Sequence, residues 1–339
     1  MKNIELAEFV RKLPKAEIHL HLEGSVTPGL LAGLASKYKT DLAGLSEDDL
    51  REQLFTYDDF YAFLNTYRQV CEHLKSPEDY LVILDHLEQY FLEQNILYAE
   101  IIYTPSIPDR FGRDGREVLD ALLERAAQIE QNSGVKIRWI LDNVRQFGSQ
   151  AAEKTAELGI EMHPRGVVGI GVGGDEKSVP LGEFKAAFSW ARAHQLFIHV
   201  HAGEIGGPEE VWEALQEVGA NRIGHGIQSA RDSKLVTYLR DRAVALDICL
   251  TSNAKTRAWP MVSSHPFPLL RNRGVPVTLN TDDPGLFETT LTKEYCLAAD
   301  LFDLTEEHIQ RLVLHAVQAA FLPHEERMDL MRVFLEKMQ

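Results

Sequence analysis

The sequence predicts an α/β protein folded as a (β/α)₈ TIM barrel, with a helical insertion after the first strand and a helical C-terminal segment. Short apolar runs alternate with amphipathic stretches, the apolar runs number eight, and polar residues follow several of them directly. Strands that alternate with helices pair in parallel, and eight such units are typical of a closed barrel. A doubly wound open sheet is the alternative, but it needs a glycine-rich phosphate loop after the first strand, and residues 19–24 form none.

The elements follow in order along one domain of residues 1–339. A short helix over 4–13 ends at Pro14. The predicted strands are 16–22, 97–103, 136–141, 166–172, 196–201, 222–225, 244–250 and 276–279. Helices are predicted over 114–133, 149–160, 181–194, 208–219 and 230–241, and the tail 293–337 is also helical.

A helical lid insertion is expected at about 40–95, after a helix that begins at Thr27-Pro28 and runs to about Tyr38. Residues 56–60 and 76–79 carry N-cap signals for two helices of the insertion. Aromatic and apolar residues recur at helical spacing in it: Phe55, Phe60, Phe63, Leu64 and Tyr67. This stripe fits either a helix-packing core or an apolar cover over a pocket.

Composition narrows the class of function. The formal charge is −16 and no basic block occurs, so nucleic acid and anionic membranes are not expected partners. Three scattered cysteines fit a reducing compartment. The N-terminus lacks the apolar core of a signal peptide, and no 18-residue apolar run occurs. We therefore expect a cytoplasmic protein with a small-molecule substrate; composition leaves the oligomeric state open.

His19 and His21 are the first candidate chemical residues. Residues two apart on a strand point to the same face, so both imidazoles project together while their apolar neighbours face the other way. Two imidazoles at one strand end are half of a metal site. The alternative is a pair of hydrogen-bonded histidines.

Further polar residues follow strands five, six and eight, at the rim where (β/α)₈ barrels build their active sites. We assign His19, His21, His201 and Asp282 as ligands of one divalent ion such as zinc. His199 faces the same way as His201 but lies deeper in the barrel. Asp283 points away from its neighbour Asp282 and is free to face substrate or water.

Glu204 and His225 complete the predicted chemistry. Glu204 follows a ligand by three residues and is placed as a general acid or base, which requires a pKa raised by burial and neighbouring carboxylates. His225 lies between two glycines that admit a substrate, although a turn histidine fits the same pattern. Metal-activated water can attack an amide, ester, phosphoester or amidine, and these residues alone do not choose among them.

The chain resembles the adenosine deaminase family of the metal-dependent amidohydrolase superfamily. The matching segments run in the family's order: Leu13–Gly24, Gly173–Glu176, His201–Glu204, Arg222–Gly226, Thr251–Asn253 with Thr256, and Leu279–Pro284. The resemblance implies that Glu204 protonates the purine N1, that His225 orients and helps deprotonate the water, and that Asp283 holds the water and contacts N7. It also implies a contact between the Gly174 amide and N3, and a lid containing Phe60 or Phe63.

The resemblance makes hydrolytic deamination of adenosine or deoxyadenosine the leading hypothesis. Glu23 stands where adenosine deaminases often carry an aspartate toward the ribose 5′-hydroxyl, so a 5′-modified nucleoside such as aminodeoxyfutalosine or methylthioadenosine is an alternative. Adenine itself is another, although the Gly173–Glu176 segment favours a nucleoside. Strand four lacks the lysine of two-metal amidohydrolases, which implies a single Zn²⁺ per chain. A different metal-dependent hydrolase and a non-catalytic binding protein are the remaining hypotheses.

Overall fold

The computed structural model describes residues 2–338, with side chains from residue 5 onward. Its centre is a parallel sheet whose eight strands are hydrogen-bonded in sequence order. The strands are β1 Lys15–His21, β2 Ile96–Tyr103, β3 Lys136–Leu141, β4 Val167–Val172, β5 Phe197–Ala202, β6 Arg222–His225, β7 Ala245–Ile248 and β8 Val277–Leu279. The predicted (β/α)₈ barrel is confirmed, and each predicted strand lies within two residues of the observed one.

The barrel closes through the residues that follow β8. The N–H of His21 donates to the carbonyl of Asp282 at 2.8 Å, and the N–H of Asp282 donates to the carbonyl of His19 at 3.1 Å. Slightly deeper, the Asn280 side-chain oxygen accepts from the N–H of Ile18 at 3.1 Å. Because Asp282 itself makes the closing bridge, the backbone fixes it beside the two histidines of β1.

Helices surround the barrel in the predicted order. They are α1 Lys2–Lys12, α2 Pro28–Tyr38, α3 Glu47–Leu54, α4 Phe60–Glu72, α5 Pro77–Glu93, α6 Ser106–Arg110, α7 Gly115–Ser133, α8 Ser149–Met162, α9 Lys185–Ala193, α10 Pro208–Glu213, α11 Ser233–Asp241, α12 Leu250–Lys255, α13 Phe267–Asn272, α14 Leu291–Phe302, α15 Glu306–Ala319 and α16 His324–Lys337. None of the helices within residues 2–338 is long and apolar enough to cross a bilayer. The polar segment that follows β7 is helical, because residues 250–255 form α12.

Caps set the ends of the helices between β1 and β2. The Thr27 hydroxyl accepts from the N–H of Leu30 at the start of α2, as predicted. The Asp59 carboxylate caps α4 by accepting from the N–H of Ala62 at 2.8 Å, and Ser76 and Asp79 form a capping box on α5. Each cap satisfies backbone N–H groups that the first helical turn leaves unpaired.

A buried ion network crosses the barrel interior. The Arg222 guanidinium donates to Asp247 at 2.6 Å and to Glu100 at 2.7 Å. Asp247 also contacts the imidazole of His199 at 3.2 Å and lies 3.8 Å from Nδ1 of His19. His199 is therefore a residue of the barrel interior, as expected. Removing one partner of such a network leaves an uncompensated buried charge, which is strongly destabilising.

Candidate active site

The four predicted metal ligands meet at the carboxyl end of the barrel. The Nε2 atom of His201 lies 3.1 Å from that of His19 and 3.2 Å from that of His21. Asp282 Oδ1 lies 3.1 Å from His19 Nε2 and 3.3 Å from His21 Nε2. These four atoms all lie within 4.8 Å of one another, and all four residues are buried.

The donor atoms fit a small divalent cation. Ligand atoms in a tetrahedron about 2.0–2.1 Å from zinc lie about 3.3 Å apart, close to the separations found here. Burial lowers the pKa of His21 and, with the neighbouring imidazoles, holds that of His201 well below its usual value. Burial also disfavours a charged His19, but the carboxylates of Asp247 and Asp282 outweigh it and raise the pKa of His19 to about 9. A bound cation would replace the proton on His19, because histidine binds a metal only as the neutral imidazole.

Two residues of the site have left-handed backbone conformations. His225 has φ 60° and Asp282 has φ 66°. Such conformations are costly for residues other than glycine and cluster at functional sites. Gly24 is needed for space instead, because a Cβ there would lie 1.7 Å from Oδ1 of Asp283.

Glu204 follows β5 in a loop that Glu176 holds. The Glu176 carboxylate accepts from the N–H groups of Gly203, Glu204 and Ile205 at 2.7, 2.8 and 3.0 Å. Burial, followed by the charges of Asp282 and Glu176, holds the pKa of Glu204 well above its usual value. This is the direction that the sequence led us to expect for a proton donor.

His225 is the last residue of β6 and is contacted by Asn253 of α12. Its Nε2 lies 3.6 Å from Glu204 Oε2 and 3.7 Å from Asp282 Oδ2, while its Nδ1 lies 3.1 Å from Nδ2 of Asn253. Ser252 donates to Asp282 Oδ2 at 2.6 Å. The segment after β7 therefore supports both His225 and a predicted metal ligand.

Asp283 lies in the same carboxylate cluster. Its Oδ1 is buried without a hydrogen-bond partner among the residues that the structure describes. Burial and the nearby carboxylates of Asp282, Glu204 and Glu23 raise the pKa of Asp283 well above its usual value. An orphaned buried oxygen at this position is suited to a contact with a ligand or water.

A cavity of about 570 Å³ opens above these residues. Its floor includes His21, His201, Glu204, His225, Asp282 and Asp283. Phe60 and Phe63 of α4 form part of its wall, with Gly174 and Gln146 on another side. The aromatic stripe thus combines both expected roles: Phe55, Phe60 and Phe63 are buried in the core, and Phe60 and Phe63 also line the cavity. The lining also includes Arg68, Ile107, Arg110, Phe111 and Phe147.

Glu23 is placed differently from the other predicted substrate contacts. It is fully buried and does not line the cavity. Its carboxylate accepts from the Tyr67 hydroxyl and from the N–H of Thr104, both at 3.3 Å, and burial raises its pKa to about 7. Tyr67 lines the cavity, so Glu23 reaches the cavity wall through this tyrosine. Direct substrate binding by Glu23 stays a prediction.

Sequence reasoning gave no role to Glu176, Ser252, Asn253 or His265. Glu176, Ser252 and Asn253 lie inside the family-like segments, so their position in those segments was the available signal. His265 lies outside those segments, between two elements, and is buried with its ring 3.2 Å from Asn253.

A barrel whose carboxyl rim gathers three imidazoles and a carboxylate beside a protonatable glutamate defines a hydrolase of the metal-dependent amidohydrolase class. The chain matches the family model described as adenosine deaminase over residues 14–336, and it belongs to that family.

Relatives and solved structures agree with this membership. The chain is 37% identical to an aminodeoxyfutalosine deaminase of Streptomyces avermitilis, over 94% of this chain and 89% of the relative. It is 35% identical to an adenine deaminase of Chelativorans sp., over 94% of this chain and 97% of the relative. The crystal structure of an adenine deaminase from Arthrobacter aurescens superposes with a TM-score of 0.90 at 25% identity, covering 96% of this chain and 98% of that one. The protein is therefore a hydrolytic deaminase that acts on a purine.

Proposed function

We propose that the chain deaminates a 6-aminopurine nucleoside extended at its 5′ position, of the aminodeoxyfutalosine type, using one zinc ion. The cavity carries this proposal, because its lining extends beyond the predicted ligands to aromatic and apolar residues and to Arg110, and free adenine would leave much of this space unfilled. Its volume of about 570 Å³ lies within the ~300–1,000 Å³ typical of sites for drug-sized ligands. The relatives favour this alternative, and adenine, over adenosine itself.

Arg110 supports an anionic group on the 5′ extension. Its guanidinium stacks over the Phe147 ring at 4.1 Å. It makes no hydrogen bond or ion pair with any of the residues 2–338 for which such contacts are described. Arg68, the other arginine of the wall, is paired with Glu72 at 2.6 Å. An unpaired guanidinium beside aromatic rings is suited to an aromatic or apolar substituent that ends in a carboxylate.

The residues of the floor have the following proposed roles. Zinc would be held by His19, His21, His201 and Asp282. When bound, it acts as a Lewis acid that lowers the pKa of water to about 7. Glu204 donates a proton to N1 of the purine, since burial raises the pKa of its carboxyl and favours the protonated form. Asp283 and His225 orient the attacking water, the Gly174 amide contacts N3, and Phe60 and Phe63 exclude solvent.

Values of kcat/KM for aminodeoxyfutalosine, methylthioadenosine, adenosine and adenine test the proposal on zinc-loaded protein. We expect the extended nucleosides to be best and adenine to be worst. The variant Glu204→Gln should lose turnover while retaining one zinc per chain, because it removes only the proton donor. Preference for adenine would contradict the nucleoside assignment, and an inert protein with its full zinc complement would contradict the function.

A further inference from the structure

A chain of three hydrogen bonds connects a backbone amide to the imidazole of His225. The N–H of Phe267 donates to Nδ1 of His265 at 3.1 Å. Nε2 of His265 lies 3.2 Å from Oδ1 of Asn253, and Nδ2 of Asn253 lies 3.1 Å from Nδ1 of His225. His265, Asn253 and His225 are 3%, 0% and 1% exposed, so water does not compete for these bonds. We call this arrangement the His265–Asn253–His225 chain.

The backbone end fixes the direction of every bond in the chain. A backbone N–H can only donate, so Nδ1 of His265 carries no proton. Burial lowers the pKa of His265 to about 3, which keeps the ring neutral near neutral pH and places its one proton on Nε2. That N–H donates to the oxygen of Asn253, and the Asn253 nitrogen therefore faces His225.

The same reasoning extends to His225. An amide nitrogen can only donate, so Nδ1 of His225 accepts and the proton of the neutral ring lies on Nε2. The groups facing that N–H are Glu204 Oε2 at 3.6 Å and Asp282 Oδ2 at 3.7 Å. The ionised Asp282 carboxylate suits a donor and would oppose an unprotonated nitrogen, which gives independent support for this tautomer.

We propose that Asn253 and His265 are positioning residues that hold His225 in the tautomer with N–H at Nε2. His225 then donates a hydrogen bond at the reacting centre and does not accept the proton of the water there. This rests on the proposed function only in placing His225 beside the reacting atoms. It revises the role that family resemblance implied for His225, which included help in deprotonating the water.

The variant Asn253→Asp tests the last bond of the chain. An aspartate still accepts from His265, but it can only accept from His225 and therefore draws the proton to Nδ1. We expect kcat to fall about 100-fold or more, as when a triad histidine is held in the wrong tautomer, with KM nearly unchanged. Nitrogen-15 NMR of the zinc-loaded full chain should show His225 Nε2 changing from a protonated to an unprotonated nitrogen, with His225→Gln used to assign the signals.

Asn221→Asp is the matched control. The oxygen of this exposed asparagine accepts from the N–H of Ile198 at 2.8 Å, and an aspartate preserves that bond, so kcat and the His225 signals should be unchanged. An unprotonated Nε2 of His225 in the parent protein, or Asn253→Asp with parental kcat and signals, overturns the proposal. The tautomer is read without substrate, so loss of the proposed function and loss of this inference are separate results.

Two substitutions at His265 test the His265–Asn253–His225 chain if the Asn253→Asp variant does not fold. A glutamine places an N–H near the position of His265 Nε2 and can still donate to Asn253, whereas a leucine cannot. We expect His265→Gln to retain kcat within about threefold and His265→Leu to lose tenfold or more, with the His225 tautomer mixed only in the leucine variant. Equal kcat values and equal His225 signals in the two variants would contradict the proposed role of His265 in positioning His225.

Discussion

The Glu176 carboxylate accepts a hydrogen bond from the backbone N–H of Glu204 at 2.8 Å, and it binds the N–H groups on either side as well. This carboxylate therefore fixes the loop that carries the proposed proton donor. Its charge also contributes to the raised pKa of Glu204.

Glu176→Gln should reduce kcat by about 10- to 100-fold. A glutamine offers one acceptor oxygen where three N–H groups need partners, so the loop loses hydrogen bonds that are each worth about 1.5–3 kcal/mol when they involve a charged group. Steady-state kinetics should show the loss mainly in kcat. Glu183→Gln, at an exposed position, is the control, and equal activity of the two variants would contradict this role.

Ser252→Ala should weaken metal binding about 10- to 100-fold. The Ser252 hydroxyl donates to Asp282 Oδ2 at 2.6 Å and orients the carboxylate whose other oxygen faces the three histidines. Changes to groups that orient metal ligands have effects of this size. Competition with a chelator measures the affinity, with the exposed Ser264 changed to alanine for comparison. An unchanged affinity in Ser252→Ala would show that the backbone alone positions Asp282.

Arg110→Gln should reduce kcat/KM for a nucleoside with a 5′-linked aryl carboxylate by about tenfold or more, since one charged hydrogen bond is worth about 1.5–3 kcal/mol. The matching carboxamide and methylthioadenosine should be nearly unaffected. Arg311→Gln is the control: it removes an exposed arginine of α15 that pairs with Glu307, and it should change none of these values. Equal losses on the carboxylate and the carboxamide would exclude recognition of charge.

Phe63→Ala should raise KM with a smaller change in kcat. Phe63 packs between the rings of Tyr57 and Phe287, with centroids 5.5 and 5.0 Å away, and also lines the cavity. Its removal opens the wall above the substrate and lets in water. Since the same change costs packing energy, thermal unfolding must be measured alongside the kinetics; Phe63→Leu separates the two effects by restoring apolar volume. Unchanged KM in Phe63→Ala and Phe60→Ala would remove both residues from the lid.

Acid should destabilise the fold partly through His265. Its pKa is about 3 in the folded state because of burial and about 6.5 in the unfolded chain. Between these pH values the unfolded state binds more protons than the folded state. The contribution of His265 to the free energy of unfolding is therefore complete above pH 6.5 and is lost as the pH falls. At pH 5 the loss is at most about 2 kcal/mol. Denaturant unfolding at pH 7 and 5 should show a smaller decrease for His265→Gln than for the parent, and parallel decreases would contradict the assignment.

The sequence by itself determined the barrel and predicted the metal-ligand set. Strand and helix periodicities are local properties, and parallel strands in a closed barrel bring their carboxyl ends to one rim. His19 and His21 share a face because strand side chains alternate. The polar residues at the ends of strands five, six and eight are therefore brought to the same rim as His19 and His21, although they lie some 180 to 260 positions further along the chain.

Only the tertiary structure decided which groups orient the side chains of the site. Glu176 reaches Glu204 from the loop after β4, and His265 reaches Asn253 from a segment that shows no periodicity. Hydrogen bonds between such segments depend on the exact path of each loop, which local patterns do not encode. Closure through Asp282 and the burial of Glu23 behind the cavity wall likewise follow from how β1, β8 and α4 pack together. Residue type and spacing therefore predicted the chemistry of the site, whereas the directions of its hydrogen bonds required the folded chain.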